Sequence, residues 1–106
     1  MKLEIQPDGI WYHGSDQILT HLRTGSTITQ WRALAEAFSH KPTLLGYEDD
    51  GTITHNGTKK GILYIIDEPL VPGVDIFPHP RTTMDANAEF LTARPLKLRK
   101  ICELEP

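Results

Sequence analysis

The chain has 106 residues, of which 39% are hydrophobic and 24% are charged, a composition typical of one soluble globular domain covering 1–106. Eleven lysine and arginine residues against fourteen aspartate and glutamate residues give a net charge of −3, which disfavours general nucleic-acid binding. The sequence has neither an apolar run of about 18 residues nor the apolar N-terminal segment of a secretion signal. We therefore expect a cytoplasmic protein that does not bind membranes.

The first part of the chain predicts two short strands and a loop. Polar and apolar residues alternate over 2–5, and an aromatic, β-favouring run covers 10–13. The second of these strands ends with His13 and is followed by Gly14. Residues 17–28 have no clear periodicity and predict a loop.

One amphipathic helix is predicted at about residues 29–39. Thr29 suits the N-cap position, and Pro42 ends the helix by forcing Lys41 out of helical geometry. The apolar residues that share one face of this helix are Trp31, Leu34, Ala35 and Phe38.

The second part of the chain predicts strands around a long loop. A short strand at 52–55 lies between two turn dipeptides, and the apolar run 61–66 indicates a strand covered on both faces. Four prolines within 67–88 predict a long ordered loop without regular structure. Residues 89–93 and 96–102 indicate two further strands. The predicted fold class is therefore α+β, a small mixed or antiparallel sheet with one principal helix.

Three residues deserve separate consideration for chemistry. His13 at a strand end and Glu89 directly after the long loop occupy positions where catalytic groups are often found. Each also has a simpler interpretation, a hydrogen-bonded histidine and a solvated carboxylate. The single cysteine, Cys102, lies in an alternating strand and is expected to be a small core residue. The sequence contains no metal-ligand spacing, so we expect no metal site.

Several short motifs, in order, resemble the ADP-ribosyltransferase superfamily. Tyr12-His13-Gly14-Ser15 followed by Leu22-Arg23-Thr24-Gly25-Ser26 looks like the opening of that superfamily. The segment 61–64 resembles its central apolar strand, and the segment 89–97 resembles its late strand, which begins with glutamate and ends with Pro-Leu. The resemblance covers roughly 10–101 and extends to rifampin-inactivating and poly(ADP-ribose) polymerase-like members.

The resemblance implies that NAD is the substrate. His13 would contact the adenosine-side ribose of NAD, the backbone at Gly14 would bind the nicotinamide carboxamide, and Glu89 would contact the nicotinamide-side ribose. Ser15 is also assigned to the NAD site. The superfamily often has a tyrosine on its second motif that stacks on nicotinamide, but the nearest residues here are Thr27 and Thr29. Both threonines are assigned to the NAD site, and Thr29 could offer its hydroxyl as a hydrogen-bond donor or could instead serve as the helix cap. Substitutes for the stacking tyrosine are Tyr47 and Tyr64, of which Tyr64 is more compatible with the core.

Two alternatives remain open from the sequence. One is a non-catalytic NAD-binding or protein-interaction module, such as a subunit of a bacterial or phage-encoded assembly, with Phe77 as an exposed anchor. The other is an enzyme of similar fold that acts on an RNA 2′-phosphate, for which the sequence shows no basic cluster near the motifs. For the transferase itself the acceptor is undetermined and could be a protein, a nucleic acid, a small molecule or water.

Overall fold

The computed structural model describes residues 3–106, and within them the chain forms nine strands and one helix. The strands are β1 (Tyr12–Ser15), β2 (His21–Leu22), β3 (Thr27–Ile28), β4 (Leu45–Tyr47), β5 (Ile53–His55), β6 (Gly61–Ile66), β7 (Ile76–Pro78), β8 (Phe90–Thr92) and β9 (Leu96–Leu104). The helix α1 is Arg32–Ser39. Neighbouring strands in the sheets are all antiparallel, and the α+β class is confirmed.

Two sheets share one hydrophobic core. The larger sheet has the order β1-β6-β9-β2, the smaller has the order β3-β8-β7, and β4 and β5 form a separate hairpin. Two backbone hydrogen bonds between Tyr12 and Thr29, of 2.7 and 3.0 Å, connect β1 to the end of β3. In the core, the rings of Trp11 and Phe90 meet edge to face with centroids 5.0 Å apart. The two sheets therefore fold as one unit.

The helix packs on the opposite face of the larger sheet, at two glycines. A Cβ atom at Gly14 would lie 1.8 Å from the carbonyl oxygen of Ala35. A Cβ at Gly61 would lie 1.9 Å from Ser39 Oγ. Neither position has room for a larger residue while α1 stays where it is, so these glycines set how closely the helix approaches the strands.

The predicted helix is confirmed, but its predicted start is wrong. Trp31 is the N-cap, without a side-chain capping hydrogen bond, and the helix begins at Arg32. The backbone of Thr29 is already bonded to Tyr12, and Thr29 Oγ1 accepts the Trp31 N–H at 2.9 Å. Because Thr29 is paired with Tyr12, the helix begins at Arg32 and not at about residue 29. Of the predicted apolar face, two residues are buried, Leu34 and Ala35, and two are half-buried, Trp31 and Phe38.

Four other local predictions are corrected. The strand predicted at 10–13 runs over Tyr12–Ser15, so His13 lies within β1 and not at its end. Residues 3–5 form no strand, and Lys2 lies outside the described residues. The predicted loop 17–28 contains β2 and β3, and the proline-rich segment 67–88 contains β7. These strands have only two or three residues each, too few to produce a periodic pattern in the sequence. In the part of the chain that the structure describes, no helix has the length and apolar character needed to cross a membrane.

Strand β9 is longer than predicted and irregular. It runs to Leu104, and the register shifts between Leu63, which faces Cys102, and Tyr64, which faces Lys100. Ile101 is the extra residue of this bulge and is exposed. Cys102 is half-buried rather than a full core residue.

Candidate functional site

The six residues assigned to a site from the sequence all line one cavity. Its volume is about 740 Å³, within the roughly 300–1,000 Å³ of small-molecule sites. The six are His13, Gly14, Ser15, Thr27, Thr29 and Glu89. All four residues of β1 contribute, so the cavity opens along the edge of that strand.

Strand β3 brings the two ends of the chain together. On one side Thr29 pairs with Tyr12 of β1. On the other side Ile28 pairs with Phe90 of β8, which places Glu89 next to Thr29 when the register is continued by one residue. Adjacent strands lie about 4.8 Å apart, so β1 and β8 are separated by roughly 10 Å at this level. His13 and Glu89, 76 positions apart in sequence, thereby face a common space.

His13 is held as a neutral imidazole with a defined tautomer. Its Nδ1–H donates to the carbonyl oxygen of Thr27 at 2.8 Å, because a carbonyl can only accept. Burial lowers the pKa of His13; the bond to Thr27 opposes this, and the nearby Lys41 charge adds to the lowering. With Nδ1 protonated and the ring neutral, Nε2 is a hydrogen-bond acceptor. Such an atom can accept a hydrogen bond from a sugar hydroxyl.

Gly14 presents backbone groups, not an open Cα, to this cavity. Its missing Cβ accommodates the helix, since the carbonyl of Ala35 occupies that space. The N–H and C=O of Tyr12 point toward Thr29, and successive residues of a strand alternate between its two edges. The N–H and C=O of Gly14 therefore point toward β3 as well, where the strands diverge. An adjacent donor and acceptor of this kind match the two polar groups of a carboxamide.

Glu89 places a carboxylate at the far side of the cavity. It directly precedes β8, and its carbonyl accepts the His79 N–H at 3.0 Å. Glu89 is half-buried, and its carboxylate makes no hydrogen bond or ion pair with any other residue among 3–106. Its oxygens are therefore free to contact a ligand.

The remaining predicted residues have structural partners. Ser15 is buried, and its Oγ accepts the Gln17 N–H at 3.1 Å. Thr29 is also buried, with its hydroxyl oxygen occupied by Trp31. Thr27 is half-buried and holds His13 through its carbonyl. Thr29 therefore positions the backbone before α1, and because its oxygen only accepts in this bond, its hydroxyl hydrogen is still available to a partner.

The aromatic substitutes proposed from the sequence do not line the cavity. The Tyr64 hydroxyl donates to the Gln17 carbonyl and accepts the Leu19 N–H, both at 2.8 Å, within the core. Tyr47 packs edge to face on Trp31, 5.3 Å between ring centroids. Two aromatic residues line the cavity instead, Tyr12 of β1 and Phe38, and both are half-buried. Phe38 was assigned to the core from the sequence.

The cavity lining includes two cationic residues that lie apart in the sequence. Arg23 and Lys41 line it, together with His79 and His21, although the sequence shows no basic cluster near the motifs. Glu89 is the one carboxylate residue in the lining of this cavity. The fold therefore brings two cationic residues, separated by 18 positions in the sequence, to the lining of one cavity.

Comparisons of the chain with protein-family models, curated proteins and solved structures found no match. Within residues 3–106, no three histidine, cysteine, aspartate or glutamate side chains are grouped so that they could hold a metal ion. Phe77, the anchor of the alternative interaction module, is 47% exposed on β7.

Proposed function

We propose that this domain binds NAD in the cavity between β1, β3 and β8 and transfers ADP-ribose from it to an acceptor. The supporting observation is that the residues chosen from motif order, from both ends of the chain, line one cavity of ligand size. His13, Gly14 and Glu89 offer an imidazole acceptor, a backbone amide edge and a carboxylate.

The reaction breaks the bond between the nicotinamide nitrogen and the ribose. Nicotinamide leaves with the bonding electron pair, positive charge develops on the sugar, and the acceptor forms the new bond and loses a proton. The Glu89 carboxylate would stabilise this charge in the transition state. Removing one preorganised group of this kind commonly costs about 3–4 kcal/mol of barrier, or 10²–10³ in rate.

Binding has its own requirements. The Nε2 atom of His13 accepts a hydrogen bond from a ribose hydroxyl, and the backbone N–H and C=O of Gly14 bind the carboxamide. The glycosidic bond is thereby fixed near Glu89. Phe38 supplies an aromatic wall in place of the tyrosine that the second motif lacks. The acceptor is a protein, a nucleic acid, a small molecule or water.

The test measures NAD binding and nicotinamide release separately. A ligand at 100 times its dissociation constant adds about 2.7 kcal/mol of apparent stability, so we expect NAD to raise the melting temperature by roughly 12 °C. His13→Ala should abolish this shift. Glu89→Gln should keep NAD affinity within about threefold but slow nicotinamide release at least about 100-fold. Glu103→Gln, an exposed residue of β9, is the matched control because it changes the net charge equally.

Two outcomes would contradict the proposal in different ways. NAD binding without nicotinamide release, into water or any tested acceptor, would leave a non-catalytic NAD-binding module. An unchanged melting curve with NAD would favour the protein-interaction module.

A further inference from the structure

The sign of charge in the cavity differs from that of the whole chain. The sequence carries a net charge of −3, yet the cavity lining includes Arg23 and Lys41 against the single carboxylate of Glu89. His79 adds a donor, because its Nδ1 accepts the Arg81 N–H at 3.0 Å and its neutral tautomer therefore carries the proton on Nε2. These groups suit an anionic ligand.

The two cations differ in their partners: Arg23 has none among the described residues, and Lys41 has one distant partner, Asp16. The guanidinium of Arg23 makes no hydrogen bond or ion pair within the described residues. Lys41 Nζ lies 3.7 Å from Asp16 Oδ1, near the outer limit of an ion pair, and the Lys41 side chain is 52% exposed. Because the pair is long and its lysine is more than half exposed, although the Asp16 side chain is only 22% exposed, it contributes little and leaves Lys41 able to bind a ligand. The charge of Arg23 is likewise available.

The position of Lys41 is fixed by its backbone. Its φ is +54°, a left-handed conformation at the end of α1 that glycine adopts more easily. Its N–H bonds to the Phe38 carbonyl at 3.1 Å. A lysine is therefore held at the cavity wall, next to Phe38, in a conformation where glycine would be less strained.

We infer that Lys41 and Arg23 form an anion subsite that takes the diphosphate of the bound dinucleotide; this inference rests on the proposed function. Such a ligand carries fixed negative charge at its diphosphate and develops positive charge at its nicotinamide ribose. The cavity has the complementary arrangement, two cations and one carboxylate. Charge-assisted hydrogen bonds to phosphate oxygens are stronger than neutral ones, so the subsite supplies much of the affinity.

The experiment is calorimetric titration of the full chain with ADP-ribose, adenosine and inorganic pyrophosphate. ADP-ribose should bind at least tenfold more tightly than adenosine. Lys41→Met should weaken ADP-ribose at least tenfold while changing adenosine less than twofold, and Arg23→Gln should act in the same direction. Lys60→Met is the matched control, because Lys60 is an exposed lysine with a similar loose partner, Glu105 at 3.5 Å, outside the cavity lining.

A second variant separates binding from folding. Lys41→Gly relieves the left-handed backbone, so its melting temperature should equal or exceed that of the wild type while ADP-ribose affinity is still lost. Equal effects of Lys41→Met and Lys60→Met, or equal affinities for ADP-ribose and adenosine, would overturn the anion subsite.

Competition identifies the source of the phosphate. Pyrophosphate should displace NAD; if saturating pyrophosphate leaves NAD affinity unchanged, the assignment to the dinucleotide is wrong. Lys41-dependent binding of pyrophosphate alongside NAD would then assign the basic residues to a phosphate of the acceptor. Lys41-dependent ADP-ribose binding without nicotinamide release would leave the subsite standing and remove the catalytic proposal. Nicotinamide release by Lys41→Met with an unchanged KM for NAD would overturn the subsite and leave the catalytic proposal standing.

Discussion

Gly14→Ala tests whether the glycine of β1 is required by the helix. The new Cβ would lie 1.8 Å from the Ala35 carbonyl oxygen, 2.8 Å from its carbonyl carbon and 2.9 Å from the Ser39 nitrogen. All three are backbone atoms of α1, so no side-chain rotation removes the clash and the helix must shift. Overpacking costs about 1–3 kcal/mol, and a rigid backbone neighbour places this case at the upper end, about 3 kcal/mol.

Thermal denaturation followed by circular dichroism measures this effect. With about 2.1 cal/mol/K of unfolding entropy per residue, a loss of 3 kcal/mol lowers the melting temperature of a domain this size by roughly 13 °C. Gly46→Ala is the control, because a Cβ there meets just Thr54 Oγ1 at 3.6 Å, an ordinary contact. It should change the melting temperature by no more than about 3 °C. A Gly14→Ala protein as stable as the control would show that α1 does not pack on β1 in this way.

Two further predictions concern pH. The lowered pKa of His13 means that the unfolded chain binds a proton first as the pH falls below the ordinary value of 6.5. The stability contributed by neutral His13 should therefore be fully present above pH 6.5 and decrease as the pH falls to the folded-state pKa. The urea midpoint of His13→Gln should lack this part of the decrease. Parallel curves of urea midpoint against pH for the two proteins would contradict the prediction. Arg94 bonds to Asp75 and Glu68 and holds the pKa of both carboxyls below their usual values, with the Lys97 N–H as the largest cause at Glu68. Arg94→Met should lower the urea midpoint at pH 7, with the difference shrinking as the pH falls below about 4, where the carboxylates are protonated; a difference that is constant with pH would refute the ion pairs.

The helix could be predicted because its signal is local, whereas its boundary could not. Four apolar residues at helical spacing within two turns identify α1 without knowledge of any other segment. Its start depends on Thr29, whose backbone is bonded to Tyr12, 17 positions earlier. Strands β2 and β3 are similar cases, since two-residue strands are defined by their partners and leave no pattern of their own.

The residues of the candidate site also differ in whether their signal in the sequence is local. His13 and Glu89 could be selected because they belong to short ordered motifs, and their shared cavity follows from the pairing of β3 with both neighbours. Lys41 and Phe38 belong to no such motif. They reach the cavity because α1 packs closely on β1, which is possible only because Gly14 has no side chain. The sequence alone does not show that this glycine, and not another, contacts the helix.

Strand β1 both contacts the helix and lines the cavity, and this affects how its His13-Gly14 pair should be interpreted. The Cα of Gly14 is required by the helix, since the Ala35 carbonyl fills the space of a side chain. A domain with this packing would need glycine there even if it bound nothing. The pair alone is therefore weak support for NAD, whereas the cavity charges are independent of the packing: nothing in the contact between α1 and β1 requires Lys41 to be a cation or Glu89 to lack a partner. The anion titration consequently weighs more heavily on function than any substitution of Gly14.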